Sequence, residues 1–236
     1  MRTSCIPSVF ALCLSLLPVA GANAASRSYM VSGFDRIEAS GPYRVVVRTG
    51  AGASARAEGD QAAIDRLQVV AENGRLTVGR SAAGWGGWEE AEGAVTVYVT
   101  VPALAGVALR GSGDLSIDRV RSRAFQTLMS GSGTLQIGAI ETETLRVAVS
   151  GPGSVEMAGR CEAATLTVRG AGSIKAQALR CKDVAASIGG SGSIAAHADR
   201  DAKAVSAGSG DILLSGTAKC AVTRSGSGDV QCGGRQ

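Results

Sequence analysis

Apolar and polar residues alternate with a period of two along most of this chain, and the alternation restarts at a recurring Gly-x-Gly. The copies begin at Gly111, Gly131, Gly151, Gly170, Gly190, Gly208 and Gly226, so successive starts differ by 20, 20, 19, 20, 18 and 18 residues. Four residues past each first glycine stand Leu115, Leu135, Val155, Ile174, Ile194, Ile212 and Val230. Six past it stand Ile117, Ile137, Met157, Ala176, Ala196, Leu214 and Cys232, with mostly polar residues between the two sets. Such alternation marks a strand with one buried face. A second alternating run leads into each corner, as with Leu145, Val147 and Val149 before Gly151. Each repeat therefore predicts two short strands joined at a corner, where positive φ or close backbone approach calls for glycine.

No single repeat can bury both of its strands. Stacked coils would pair each strand with its copy about 4.8 Å away and share one continuous core. The predicted fold is all-β, a right-handed parallel β-helix (β-solenoid) of Gly-x-Gly repeats 18 to 20 residues long. Residues 27–105 follow a looser rhythm. Strands are predicted at 36–39 and 43–49, around a Ser40-Gly41-Pro42 turn that loosely resembles the later corner. Asp60 is placed to cap a short helix over 61–66, Asn73-Gly74 joins 68–71 to 75–78 as a hairpin, and residues 95–101 form a further strand. This irregular section reads as continuous with the repeats of 106–236, giving one domain over 25–236 whose N-terminal end it covers.

Residues 1–24 read as a signal peptide. Arg2 supplies the positive end, residues 9–19 the apolar stretch, and Ala22-Asn23-Ala24 the small residues before cleavage at Ala25. No later stretch reaches bilayer-spanning length. The expected location is periplasmic or extracellular, at the cell surface. Four cysteines lie beyond residue 24. Cys161 and Cys181 each stand nine residues before a repeat glycine, hence at the same position on neighbouring coils. Cys220 and Cys232 stand six before and six after Gly226, both in inward register. Two disulfides are expected, the second closing the last coil across its core.

Composition narrows the function classes. The 33 glycines lack a three-residue period, which excludes collagen, and 45% hydrophobic content argues against disorder. A net charge of +4, evenly scattered, with 3% aromatic residues gives no nucleic-acid partner.

The segments FDRIEASGPYRVVVRTG, AENGRLTV and VYVTVPAL, together with the GSGDL repeats, resemble the head GIN domain proteins. That family carries the label "putative autotransporter adhesin". The resemblance spans residues 31–233 and implies an exported bacterial β-helical domain with a suggested adhesive role and no catalytic motif. The chain departs from the pattern at Pro152 and Ala171, which replace the middle serine, and in its two cysteine pairs.

Candidate chemistry is sparse. Asp114, Asp211 and Asp229 share the position after the second glycine, where a carboxylate ends a turn through local backbone hydrogen bonds. A calcium ion bridging Asp211 and Asp229 is the alternative. His197 reads as a surface histidine with no nucleophile tied to it. Ser112, Ser132, Ser191, Ser209 and Ser227 read as a hydroxyl ladder along the corner. Trp85 and Trp88, flanked by glycines, are the candidate ligand-binding residues, able to stack on a sugar or anchor a partner; the other reading is a cap over the open solenoid end. No catalytic, metal or cofactor residue is assigned. The sequence thus points to an exported, non-enzymatic binding or scaffold module, adhesin-like or envelope-associated, whose partner is a cell-surface glycan or an envelope protein. The alternative is a carbohydrate-active β-helix with an unrecognised polysaccharide site.

Overall fold

A computed structural model describes residues 25–81 and 93–233. The chain opens with β1 (Ala25–Tyr29), β2 (Arg36–Ser40), β3 (Arg44–Thr49) and β4 (Ser54–Gly59). Helix α1 (Gln61–Asp65) follows, then β5 (Leu67–Glu72), β6 (Arg75–Arg80), β7 (Val95–Val101) and β8 (Gly106–Gly111). The repeats supply β9 (Asp114–Gly131), β10 (Thr134–Ser150), β11 (Ser154–Gly170), β12 (Ser173–Gly190) and β13 (Ser193–Gly208). The last coils are shorter pieces: β14 (Asp211–Ser215), β15 (Lys219–Ser225) and β16 (Val230–Cys232).

The coils stack in parallel as a β-solenoid of about six turns. Leu135 faces Leu115 on one neighbour and Val155 on the other, so like residues of successive repeats form continuous inward columns. The leading and trailing segments of each long strand pair with different neighbours and form two walls of the solenoid, with a shorter paired stretch at the bend between them. The first wall runs β1-β4-β7-β3, then through the leading segments of β9 to β13, and ends on β14 and β16. The second wall runs β5-β6-β2-β8, then through the trailing segments of β9 to β13, and ends on β15.

The glycine corner keeps its register at every coil, and the differences in repeat length fall on the opposite bend. Pairing shifts between Ile137 and Ile140, between Glu156 and Ala158, between Ala176 and Arg180 and again between Cys181 and Asp183, all away from the glycine corner. The corner tolerates no such adjustment because its backbones touch. Gly131 has φ 138°, and a Cβ on Gly133 would overlap the carbonyl oxygen of Gly113. Corner amides are spent on the coil beneath: Ser132 N–H donates to Gly111 O at 3.0 Å, and Gly210 N–H to Gly190 O at 3.0 Å.

Inside, the columns beginning at Leu115 and Ile117 stay buried as far as Ile212 and Leu214. Each such aliphatic side chain contributes about 1.5–3 kcal/mol by leaving water. Thr127 and Ser206 interrupt the apolar lining of the second wall; Thr127 is fully buried between Val107 and Val147, and its hydroxyl has no hydrogen-bond partner among the described residues. Exchanging it for the isosteric hydrocarbon removes the unpaired hydroxyl and keeps the shape. Thr127→Val should therefore raise stability by about 1 kcal/mol, measured by denaturant unfolding.

Several N-terminal elements follow the sequence. The Asp60 carboxylate accepts from Ala63 N–H at 3.1 Å, capping α1. Asn73 and Gly74 both have positive φ (50° and 76°), as a two-residue hairpin turn requires, and β5 pairs antiparallel with β6. The Ser40-Gly41-Pro42 turn is the first corner, since Gly113 N–H donates to Gly41 O at 2.9 Å. Strands β1 and β4 are additional; they extend the first wall as antiparallel neighbours, with Arg56 opposite Tyr98 of β7. The segment Ser54–Gly59 reads SARAEG, and alanine and charged residues carry little strand propensity of their own. Pairing with β7 makes it a strand.

Cys161 and Cys181 face each other on adjacent rungs and are bonded, with Cα atoms 4.5 Å apart. Cys220 and Cys232 are bonded across the last layer, linking β15 on the second wall to β16 on the first, with Cα atoms 6.3 Å apart. Beyond β15 the described chain offers no further rung. Val222, which continues the inward column of Ala204, is consequently 49% exposed.

Candidate functional site

Most of the residues singled out in the sequence are committed to contacts between coils. Asp211 accepts the backbone N–H of Asp229 at 2.9 Å, while Asp229 accepts from the Gln231 amide at 2.8 Å. Asp114 lies 3.8 Å from Arg44 on the rung above. These carboxylates serve the turn and ladder, and no cluster of three metal-binding side chains occurs among the described residues. Of the corner serines, Ser227 donates to Ser209 at 3.2 Å; a second hydroxyl contact, Ser173 to Ser154 at 3.0 Å, lies one position beyond the corner. Trp85 and Trp88 lie outside the described residues.

His197 is less isolated than its sequence context suggests. Its Nδ1 lies 3.2 Å from Ser215 Oγ on the next coil and its Nε2 2.9 Å from Asp199. Ser215 stands directly opposite His197 in the pairing of β13 with β14, each seven residues past the first glycine of its repeat. A serine-histidine-aspartate trio invites a hydrolytic reading, but the serine hydroxyl is also 3.2 Å from Ala196 O, and Gly216 packs against the imidazole. With one hydrogen to give and two acceptors beside it, Ser215 fastens one coil to the next.

The side that holds the bends is a charged zipper. Glu141 bridges Arg121 at 2.8 Å and Arg160, so three successive coils share one carboxylate. The Arg160 hydrogen bond foremost, then that of Arg121, holds the Glu141 carboxyl below the ordinary carboxylate range. Glu162 pairs with Lys182 at 2.6 Å, and Asp183 with Arg200. A shallow groove of about 480 Å³ runs here, between Arg121, Glu141 and Arg160. Exposed pairs of this kind contribute little individually, and their effect is to leave the side nearly neutral.

The second wall differs. Its outward positions form three rows across the strands. One row holds Arg75, Arg36, Gln126, Arg146, Thr165 and Lys203; the far row holds Arg110, Ser130, Ser150 and Arg169. Between them Ala108, Leu128, Ala148, Thr167, Ser187 and Val205 make a low stripe, from which Leu128 stands 42% exposed. From β6 to β15 the one carboxylate described in the three rows is Glu38, held by Arg75 at 3.0 Å and Arg110 at 2.9 Å, and Glu72 of the edge strand β5 stands opposite Arg75. A groove of about 270 Å³ lies around this group, lined also by Arg36, Gln126 and Leu128.

Comparison with known proteins agrees with the architecture. The family described as "Putative auto-transporter adhesin, head GIN domain" matches residues 33–218. The fold is similar to a crystal structure of a "putative adhesin" from Bacteroides fragilis, with 23% identity, TM-score 0.81, and coverage of 90% of this chain and 98% of that one. It is also similar to a "putative lipid binding protein" from Parabacteroides distasonis, with 21% identity, TM-score 0.71, and coverage of 89% and 97%. A "putative adhesin" from Parabacteroides merdae follows at 16% identity and TM-score 0.66, covering 89% and 96%. At these identities the likeness is one of fold. No curated protein sequence matches the chain.

Proposed function

The chain belongs to the head GIN domain family, and from that premise we propose that it is an exported, non-enzymatic binding and scaffold module of the cell envelope. Residues 1–24 act as the signal peptide, and residues 25–236 work as one solenoid domain presenting its walls at the cell surface or in the periplasm. The observation that carries this reading is the division of labour among polar groups. Asp114, Asp211, Ser209, Ser227 and His197 are tied to neighbouring coils, whereas Arg36, Arg146, Arg169 and Lys203 on the second wall make no ion pair among the described residues. Paired disulfides support an oxidising compartment. Cleavage before Ala25 also leaves the pairing of β1 with β4 intact, beginning at Ala25 opposite Gly59.

Cells expressing the full chain test the proposal. Mass spectrometry of the envelope fraction should find an N-terminus at Ala25, and the protein should sediment with envelope material without degrading it. Recovery from the cytosol with residues 1–24 retained and cysteines reduced would overturn it, as would release of soluble sugar from the envelope material.

A further inference from the structure

We infer that the outer surface of the second wall is a docking track for a linear acidic polysaccharide, its carboxylates seated on two rows of cations. The inference deepens the binding reading above and rests on it. Six exposed cations, Arg36, Arg75, Arg110, Arg146, Arg169 and Lys203, face outward from one continuous sheet whose three rows hold two described carboxylates, Glu38 and, on the edge strand β5, Glu72 opposite Arg75. Glu38 engages Arg75 and Arg110. Arg36, Arg146, Arg169 and Lys203 have no acidic partner among the described residues. At the margins stand Asp183, which Arg200 neutralises, and Asp201, 3.4 Å from the same arginine.

The contrast with the bends shows that this pattern is local. The same coils place arginine on both surfaces, yet at the bends Arg121, Arg123, Arg160 and Arg200 each meet a glutamate or aspartate from an adjacent coil. On the second wall Arg146 lies between Gln126 and Thr165, Arg169 between Ser150 and Gly189, and Lys203 between Ala185 and Ala221. Their summed positive potential attracts an outside anion. Arginine's fork suits a carboxylate bidentately.

Spacing selects a chain over a point ligand. Arg36, Arg146 and Lys203 fall on every third strand of the sheet, and Arg110 and Arg169 do so in the far row. With strands about 4.8 Å apart, cations recur about every 14 Å along the solenoid axis, and the rows stand about 13 Å apart across it. The low stripe between them leaves room for a polymer lying along the axis. Thr165, Thr167, Ser130, Ser150 and Gln126 put hydroxyl and amide groups beside the cations, partners for sugar hydroxyls. The three rows carry no aromatic side chain on which bases would stack. A single exposed leucine does not make the apolar belt that seats a protein in a lipid surface.

Binding of polygalacturonate chains to the purified disulfide-bonded protein, followed by calorimetry at low and high salt, decides the matter. Wild type should bind in a salt-sensitive manner. The double variant Arg146→Glu and Arg169→Glu should lose at least about tenfold in affinity. A charge-matched control, Arg48→Glu with Arg180→Glu on other surfaces, should lose less than about threefold. Neither pair disturbs an ion pair between described residues, and unchanged melting curves verify folding. Equal losses in both double variants, or no binding by wild type, would overturn the proposal. So would stronger retention on polyphosphate or phosphatidylglycerol vesicles than on the polysaccharide. If envelope co-sedimentation persists unchanged in the Arg146 and Arg169 double variant, the track falls while the envelope-binding reading stands.

Discussion

Replacing Gly133 by valine should leave the chain without a stable fold, whereas Gly189→Ala should be nearly silent. Both glycines lie in the repeats, and composition alone treats them alike. Their surroundings do not. A Cβ on Gly133 enters the carbonyl of Gly113, and the next nearest atoms are also backbone of the coil beneath. Backbone cannot rotate away as a side chain can, so the coils would have to separate at the corner and break the ladder of amide bonds between them. A cost of about 3–5 kcal/mol is expected, at the extreme of single substitutions. For a chain of this size that is a fall of about 10 °C or more in melting temperature, if folded protein is recovered at all. Gly189, on β12, is exposed, and a Cβ there would meet no atom within 4 Å, so its change should stay within about 0.5 kcal/mol. Circular dichroism melts of the two variants check this; a Gly133→Val protein that melts with wild type would show that the corner is looser than its contacts imply.

The corner also explains how much of the fold could be read from the chain. Because the glycines hold register, counting from each one places Leu135 between Leu115 and Val155 and sets Cys161 opposite Cys181, as the structure has it. Features fixed by local backbone chemistry were equally plain: the Asp60 cap and the Asn73-Gly74 turn need only their neighbours. What escaped depends on partners far along the chain. Strand β4 carries alanines and charges and is ordered by β7, about forty residues on. The bend opposite the corner changes length between coils, so residues beyond it shift relative to a count from the preceding glycine, which is how Asp183 comes to face Asp201. The same holds for the candidate binding track. Arg146 and Arg169 look like ordinary surface arginines in sequence, and only the stacking shows that no acid stands beside them. The sequence-level candidates Trp85 and Trp88 remain a proposal of their own for ligand stacking.

Cutting the Cys220–Cys232 link should release the last coil and little else. The bond closes a 12-residue separation, for which loop-closure entropy amounts to about 3 kcal/mol. In a stacked array each coil is held by its immediate neighbours, so the loss stays near the end where it is made. That end is already the weakest: β15 is exposed along its whole length and Val222 has no rung beneath it. Without the bond, β16 is held by three paired residues on β14, and β15 by its pairing with β13 alone. Hydrogen exchange in a Cys220→Ser, Cys232→Ser variant should therefore speed up at the amides of β15 and β16, while β10 and β11 stay protected. The intact protein, labelled without prior reduction, should show none of its four cysteines beyond residue 24 reactive to thiol reagents. The Cys161–Cys181 bond sits in mid-stack, joining rungs already paired over their full length, so its removal should lower stability without a local rise in exchange. Exchange that rises evenly along the chain in the Cys220 and Cys232 variant would mean that the solenoid opens as one unit, and the end coil would then be part of a single cooperative core.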